Sequence, residues 1–169
     1  MKILSLCGSI RTDSSNHNLL LAVEGLLPQD IEWVGFQIKQ LPFFDPILQF
    51  KNVPDVVSSF RKAAFESDYI VISTPEYAHG IPGILKNALE WLVCEETMKK
   101  KVVVFIATSS GGEFVREYLL ETLRTMDMLA SMDAIFTVTR ARASISASGE
   151  ILDADLREKL KIFLNKTFQ

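Results

Sequence analysis

Apolar residues along this chain follow two alternating rhythms. Short unbroken runs rich in β-branched residues read as strands covered on both faces. Between them, apolar side chains return every three or four positions, the period of a helix with one buried stripe. The predicted strands are Met1–Leu6, Ile31–Phe36, Tyr69–Ser73, Lys101–Ala107 and Ala134–Thr139. The predicted helices are Asn16–Leu27, Pro54–Glu66, Pro82–Val93, Gly112–Leu129 and Asp153–Asn165. The first carries Leu19, Leu20, Val23 and Leu26 on one face and stops at Pro28. The third has proline in its first turn, the fourth repeats Val115, Leu119, Leu123 and Met126, and Asp153 is placed to cap the fifth. One long irregular stretch, Gln40–Pro54, contains Leu41-Pro42-Phe43-Phe44-Asp45-Pro46.

Strands alternating with helices end to end predict a doubly wound α/β sheet, mostly or wholly parallel, with helices on both faces. No repeat, low-complexity segment or linker interrupts the alternation, so residues 1–169 are expected to form one domain. Ligands of such sheets sit beyond the carboxyl ends of the strands. The loops Gly8–Asn16, Thr74–Pro82 and Thr108–Gly112 are therefore expected to converge.

Composition narrows the choice. A formal net charge of -3 gives no electrostatic case for nucleic acid or an anionic membrane. No apolar run reaches the length of a membrane span. The 2 cysteines, Cys7 and Cys94, lack metal spacing, and 2 histidines do not make a multi-histidine site. Free thiols without a leader segment point to a reducing, cytoplasmic setting.

The first loop, Gly8-Ser9-Ile10-Arg11-Thr12-Asp13-Ser14-Ser15-Asn16, joins a strand to a helix start. A helix N-terminus offers unpaired N–H groups, Ser9, Ser14 and Ser15 offer hydroxyls, and Arg11 offers a charged fork, which together suit a phosphate. The same residues also read as an ordinary turn in which Ser15 or Asn16 caps the helix. In the third-strand loop, Pro75 and Pro82 fix the backbone, while Gly80 and Gly83 admit a planar ligand. Backbone groups of Glu76, Tyr77 and Ala78 can address a heterocycle edge, and Tyr77 can cover a ring face. His79 reads more readily as solvated or packed than as catalytic, since nothing near it completes a triad.

Two stretches resemble a known family, the NADPH-dependent FMN reductases of the flavodoxin-like fold, which include FMN, quinone, chromate and azo-dye reductases. Gly8–Asn16 matches the G-S-x-R-x-x-S-x-N phosphate loop. Pro75-Glu76-Tyr77 followed by Ile81-Pro82-Gly83-Ile84-Leu85-Lys86-Asn87-Ala88-Leu89-Glu90-Trp91 matches P-E-Y-x-x-x-x-P-G-x-L-K-N-A-x-[DE]-W. The resemblance implies a three-layer sandwich whose five-stranded parallel sheet runs in the order 2-1-3-4-5. It implies that Ser9, Arg11, Ser14, Ser15 and Asn16 hold the FMN phosphate. Pro75, Glu76, Tyr77 and Ala78 are then expected along the ribityl chain and ring, and Ser109, Ser110, Gly111 and Gly112 close on the flavin. Many members have Asn at the place of Ala78 and Ser at that of Gly80.

On this reading no side chain is catalytic and no metal is needed. FMN carries two electrons from NADPH or NADH to FMN, a quinone or another small acceptor in ping-pong fashion. The family also implies a homodimer or homotetramer. The apolar Leu41–Phe50 loop and the helices bearing Trp91, Phe114 and Tyr118 can supply an interface or fill the monomer's own core. The competing readings are a flavodoxin-like electron carrier, a non-catalytic flavin-binding module and a serine hydrolase. The last lacks a G-x-S-x-G elbow.

Overall fold

A computed structural model describes residues 1–109 and 111–168. Five parallel strands, β1 (Lys2–Cys7), β2 (Glu32–Phe36), β3 (Tyr69–Thr74), β4 (Lys101–Thr108) and β5 (Ile135–Thr139), form one sheet in the order β2-β1-β3-β4-β5. Between and after them come helices α1 (Ser15–Leu26), α2 (Asp55–Glu66), α3 (Gly83–Trp91), α4 (Glu113–Thr125), α5 (Ala141–Ser144) and α6 (Ala154–Thr167). The flavodoxin-like architecture and its strand order are as expected.

Burial follows the strand order. Every residue of central β3 is buried, whereas the edge strands β2 and β5 are largely half-exposed. Alternate strand residues serve opposite faces. Leu4, Leu6, Ile70, Ile72 and Val104 pack with Phe60, Leu89, Trp91 and Leu119 from α2, α3 and α4. Ile3, Val71, Val103 and Phe105 face Leu19, Val23, Leu160 and Leu164 from α1 and α6. The three layers hold all β-strand carboxyl ends at one rim.

Several local expectations are corrected. α1 is capped by Ser14, whose side chain accepts from the Asn16 N–H, and not by Ser15 or Asn16. The predicted Gly112–Leu129 helix ends at Thr125. Asp127 takes a left-handed φ of 54°, and Leu129 then pairs in parallel with Lys101 through hydrogen bonds to Lys100 and Val102. Met126 and Met128 are both buried, so the apolar pattern continued past the real stop. Trp91 is fully buried and is no interface residue. Its Nε1–H donates to the Pro42 carbonyl (2.8 Å). Asn87 adds two bonds to the same loop, donating to Pro42 O and accepting from Phe44 N–H. Asn87 and Trp91 of the second motif thus clip Pro42–Phe44 onto α3.

Candidate functional site

The three loops do converge, and a fourth joins them. A cleft of about 410 Å³ at the carboxyl rim is lined by Ser9, Arg11, Ser14, Ser15, Asn16, Pro75, Glu76, Tyr77, Ala107, Thr108, Ser109, Arg140, Ala141 and Arg142. Ala78, Gly111 and Gly112 lie outside this lining, and Ser110 lies outside the described residues. A larger cleft of about 530 Å³ runs between α1 and edge strand β2, sharing Ser9 and Arg11. It includes neither Ser14 and Ser15 at the helix start nor any residue of the third-strand loop. The smaller cleft is the one that joins both ends of the expected ligand site.

At the first loop the backbone is tightly held. Gly8 N–H donates to Ser73 O (2.7 Å), and a Cβ on Gly8 would lie 3.0 Å from Thr74 Oγ1 and 3.1 Å from Leu85 Cδ2. The chain can leave β1 this close to β3 only without a side chain. Asn16 is buried and turned inward. Its Oδ1 accepts from Ser73 Oγ–H (2.9 Å) and Ala107 N–H (3.3 Å), and its Nδ2 donates to Ala107 O (3.4 Å). One amide therefore ties the start of α1 to the ends of β3 and β4.

Arg11 is exposed and forks onto Asp13, with Nη2 3.0 Å from each carboxylate oxygen. Arg142 reaches the same carboxylate at 3.6 Å from across the cleft. The Arg11 guanidinium, and more weakly Arg142, hold the Asp13 carboxyl below the usual carboxylate range. Cys7, at the end of β1, donates to Ser9 O (3.4 Å), and burial pushes its thiol upward despite that bond.

The third-strand loop is built differently. Tyr77 and Gly80 exchange both backbone hydrogen bonds at 2.9 Å, and the residues between them, Ala78 and His79, have φ of 49° and 59°. That is a two-residue hairpin with a primed turn, made here without glycine or asparagine at either central position. The fourth-strand loop enters α4 through Gly112 at φ +76°, where a Cβ would sit 3.0 Å from Ile106 Cγ2.

Arg140 and Arg142 were not foreseen. They directly follow β5, whose carboxyl end shares the rim, and a basic pair at a strand end was the available signal. Arg140 also sits at a left-handed φ of 57°.

The residues fit a flavin mononucleotide. Hydroxyls, arginines and a helix start gather at one end, and a hairpin with an exposed tyrosine lies at the other. Glu76 also lines the cleft, and its Oε2 is buried with no hydrogen-bond partner among the described residues, an acceptor suited to a polyol hydroxyl. Among the described residues no group of side chains is arranged to hold a metal, and no helix is long and apolar enough to cross a membrane.

Fold and cleft together define a flavin-dependent oxidoreductase of the flavodoxin-like class. The chain belongs to the NADPH-dependent FMN reductase family, whose sequence profile matches residues 1–143. It is 28% identical over 172 residues to a 2-hydroxy-1,4-benzoquinone reductase of Burkholderia sp, covering 98% of this chain and 93% of that protein. It is 29% identical over 137 residues to a quinone reductase of Escherichia coli, covering 76% and 72%. In fold it is similar to FerB, a flavoenzyme NAD(P)H:(acceptor) oxidoreductase from Paracoccus denitrificans, with a TM-score of 0.88 at 23% identity over 98% of this chain and 94% of that one.

Proposed function

We propose that residues 1–169 form one FMN-binding domain that oxidises NADPH or NADH and reduces a quinone, free FMN or another small acceptor. One observation carries this reading: the phosphate-type loop and the Glu76–Tyr77 hairpin arm line the same cleft. A bound FMN would supply the two-electron redox chemistry that couples the nicotinamide to the acceptor.

The chain's own residues bind and orient. Ser9, Ser14, Ser15 and Arg11 hold the phosphate, with the α1 N-terminus aimed at it. Arg142 and Arg140 add positive charge from the β5 side. Asn16 braces the loop through its amide bonds to Ser73 and Ala107 while lining the same cleft. Pro75, Glu76, Tyr77 and the Ala78 backbone border the ring and its polyol. Ser109, Gly111 and Gly112 belong to the facing loop. Excluding water from this cleft strengthens each of these contacts.

The purified protein should show a flavin absorbance spectrum, retained or restored by added FMN. Anaerobic NADPH should bleach it and duroquinone should restore it. Protein that stays colourless with excess FMN rejects the reading; bleaching too slow for turnover favours the electron carrier.

We also propose a homodimer or homotetramer in the cytoplasm. Phe43 is 93% exposed, Ile47 and Phe50 are nearly as open, and Phe114 and Tyr118 are about half exposed. Apolar side chains this open support a protein interface. Light scattering after gel filtration should give a multiple of 19.0 kDa, and a single-chain mass at micromolar protein would reject it.

A further inference from the structure

The hairpin beside the cleft is strained at its tip. Ala78 and His79 both occupy the left-handed region, where residues with a Cβ are disfavoured. Such backbone persists only when its surroundings hold it. Two backbone hydrogen bonds close the hairpin at Tyr77 and Gly80, but they do not fix its direction relative to the body of the protein.

That direction is fixed by a ring contact. The His79 imidazole lies face to face with the Phe114 ring, centroids 4.1 Å apart and planes within 5°. Phe114 is the second residue of α4, immediately beyond the Gly111–Gly112 entry. The stack therefore joins the third-strand loop to the fourth-strand loop. His79 forms no hydrogen bond or ion pair among the described residues, so stacking is its role in the fold. Tyr77, at the base of the hairpin, lines the cleft with half its surface exposed.

We propose that His79 is a positioning residue: by stacking on Phe114 it clamps the Tyr77–Gly80 hairpin to the start of α4 and so fixes Tyr77 as a wall for the electron acceptor. The acceptor class is a flat, ring-shaped molecule such as a quinone, which a fixed phenol can cover. The clamp stands on geometry alone; its effect on the acceptor rests on the function proposed above. The phosphate is held by other residues, Ser9, Arg11, Ser14 and Ser15, so FMN affinity falls by less than the acceptor KM rises.

The test uses the full chain with two readouts. Amide hydrogen exchange at Tyr77 and Gly80, in the absence of flavin, reports the clamp. Steady-state reduction of duroquinone by NADPH, with FMN saturating, reports the acceptor wall. His79→Ala should speed exchange at both amides and raise the duroquinone KM about two- to tenfold, the range an aromatic pair commands. Its FMN dissociation constant should stay within about twofold. His79→Phe should restore both readouts, because it keeps the ring and discards the imidazole's charge and hydrogen bonds. Phe114→Ala should match His79→Ala, and the double variant should be no worse than either single one.

Unchanged exchange in His79→Ala overturns the clamp, whatever the flavin does. Faster exchange with an unchanged KM overturns its role toward the acceptor. Failure of His79→Phe to restore exchange overturns stacking as the cause. Wild-type protein that binds no FMN would sink the proposed function, while the exchange comparison would still decide the clamp.

Discussion

The two ends of the cleft are built on opposite plans. At the phosphate end the polar side chains are used twice. Ser14 is nearly buried and caps α1, Asn16 is buried and bonded on both sides of its amide, and Gly8 is wedged against Thr74 and Leu85. At the ring end the hairpin tip is exposed, its backbone is strained, and rings in surface contact hold it. Rigid preorganisation at the tail suits affinity, because the ligand orders little when it binds. A more open ring end suits an enzyme that must admit a nicotinamide and then an acceptor. Substitutions at the tail should therefore change stability and flavin affinity together, whereas substitutions at the hairpin should separate them.

The largest effect is expected from Asn16→Ala. It leaves Ser73 Oγ and the Ala107 N–H without their acceptor in a buried site. Each orphaned group costs about 1–3 kcal/mol, so a loss of about 2–6 kcal/mol is expected. Urea denaturation should show a lower midpoint with an unchanged slope. FMN affinity should fall as well, because the loop loses its tie to β3 and β4. Wild-type stability in this variant would show that the tail is not the rigid partner in the comparison.

Arg11→Ala comes next. A charge-assisted fork to phosphate gives at least about a tenfold loss of FMN affinity, near 1.4 kcal/mol. Stability should hardly move, since Arg11 is exposed and, among the described residues, its guanidinium pairs with exposed Asp13 alone. Flavin fluorescence titration separates the two quantities. An unchanged dissociation constant would remove Arg11 from the site.

How much of this could be read from the chain depends on how local each feature is. The part of the cleft lined by the first loop was legible because nine consecutive residues carry its hydroxyls, its cation and its helix start. The sheet order followed from alternation and a family resemblance. Arg140 and Arg142 were not legible, because only the placement of β5 at the sheet edge brings them to a loop far away in sequence. The motif places Asn16 among the phosphate residues, but spacing does not say that its side chain also turns inward to Ser73 and Ala107. Trp91 was offered to an interface for a similar reason: helical spacing cannot distinguish the core from a second protein. The end of α4 was overshot because Met126 and Met128 stay apolar through a left-handed residue that hydrophobic rhythm does not register.

Ala78→Asn tests the strain at the hairpin. Asparagine tolerates the left-handed region far better than alanine and is favoured in primed turns. Relief should stabilise the protein by about 0.5–1 kcal/mol and raise its melting temperature by a few degrees. An unchanged or lower melting temperature would show that the tip is not strained.

The smallest effect is expected at Asp13, an exposed carboxylate of the first loop. Asp13 holds Arg11 on one side and Arg142 on the other, and so competes with a phosphate for the same guanidinium. Asp13→Asn should free the fork and improve FMN affinity by about two- to threefold at low salt, fading as salt screens the exposed pair. Its pH behaviour has a definite sign. The folded protein holds this carboxyl below its usual value, so the pair's contribution is present above the usual carboxylate range. It is lost as pH falls through the lowered value, where the carboxyl protonates and releases Arg11. The affinity gap between wild type and Asp13→Asn should therefore be full at neutral pH and close on acidification. A gap that persisted in acid would show that Asp13 acts through the shape of the loop and not through its charge.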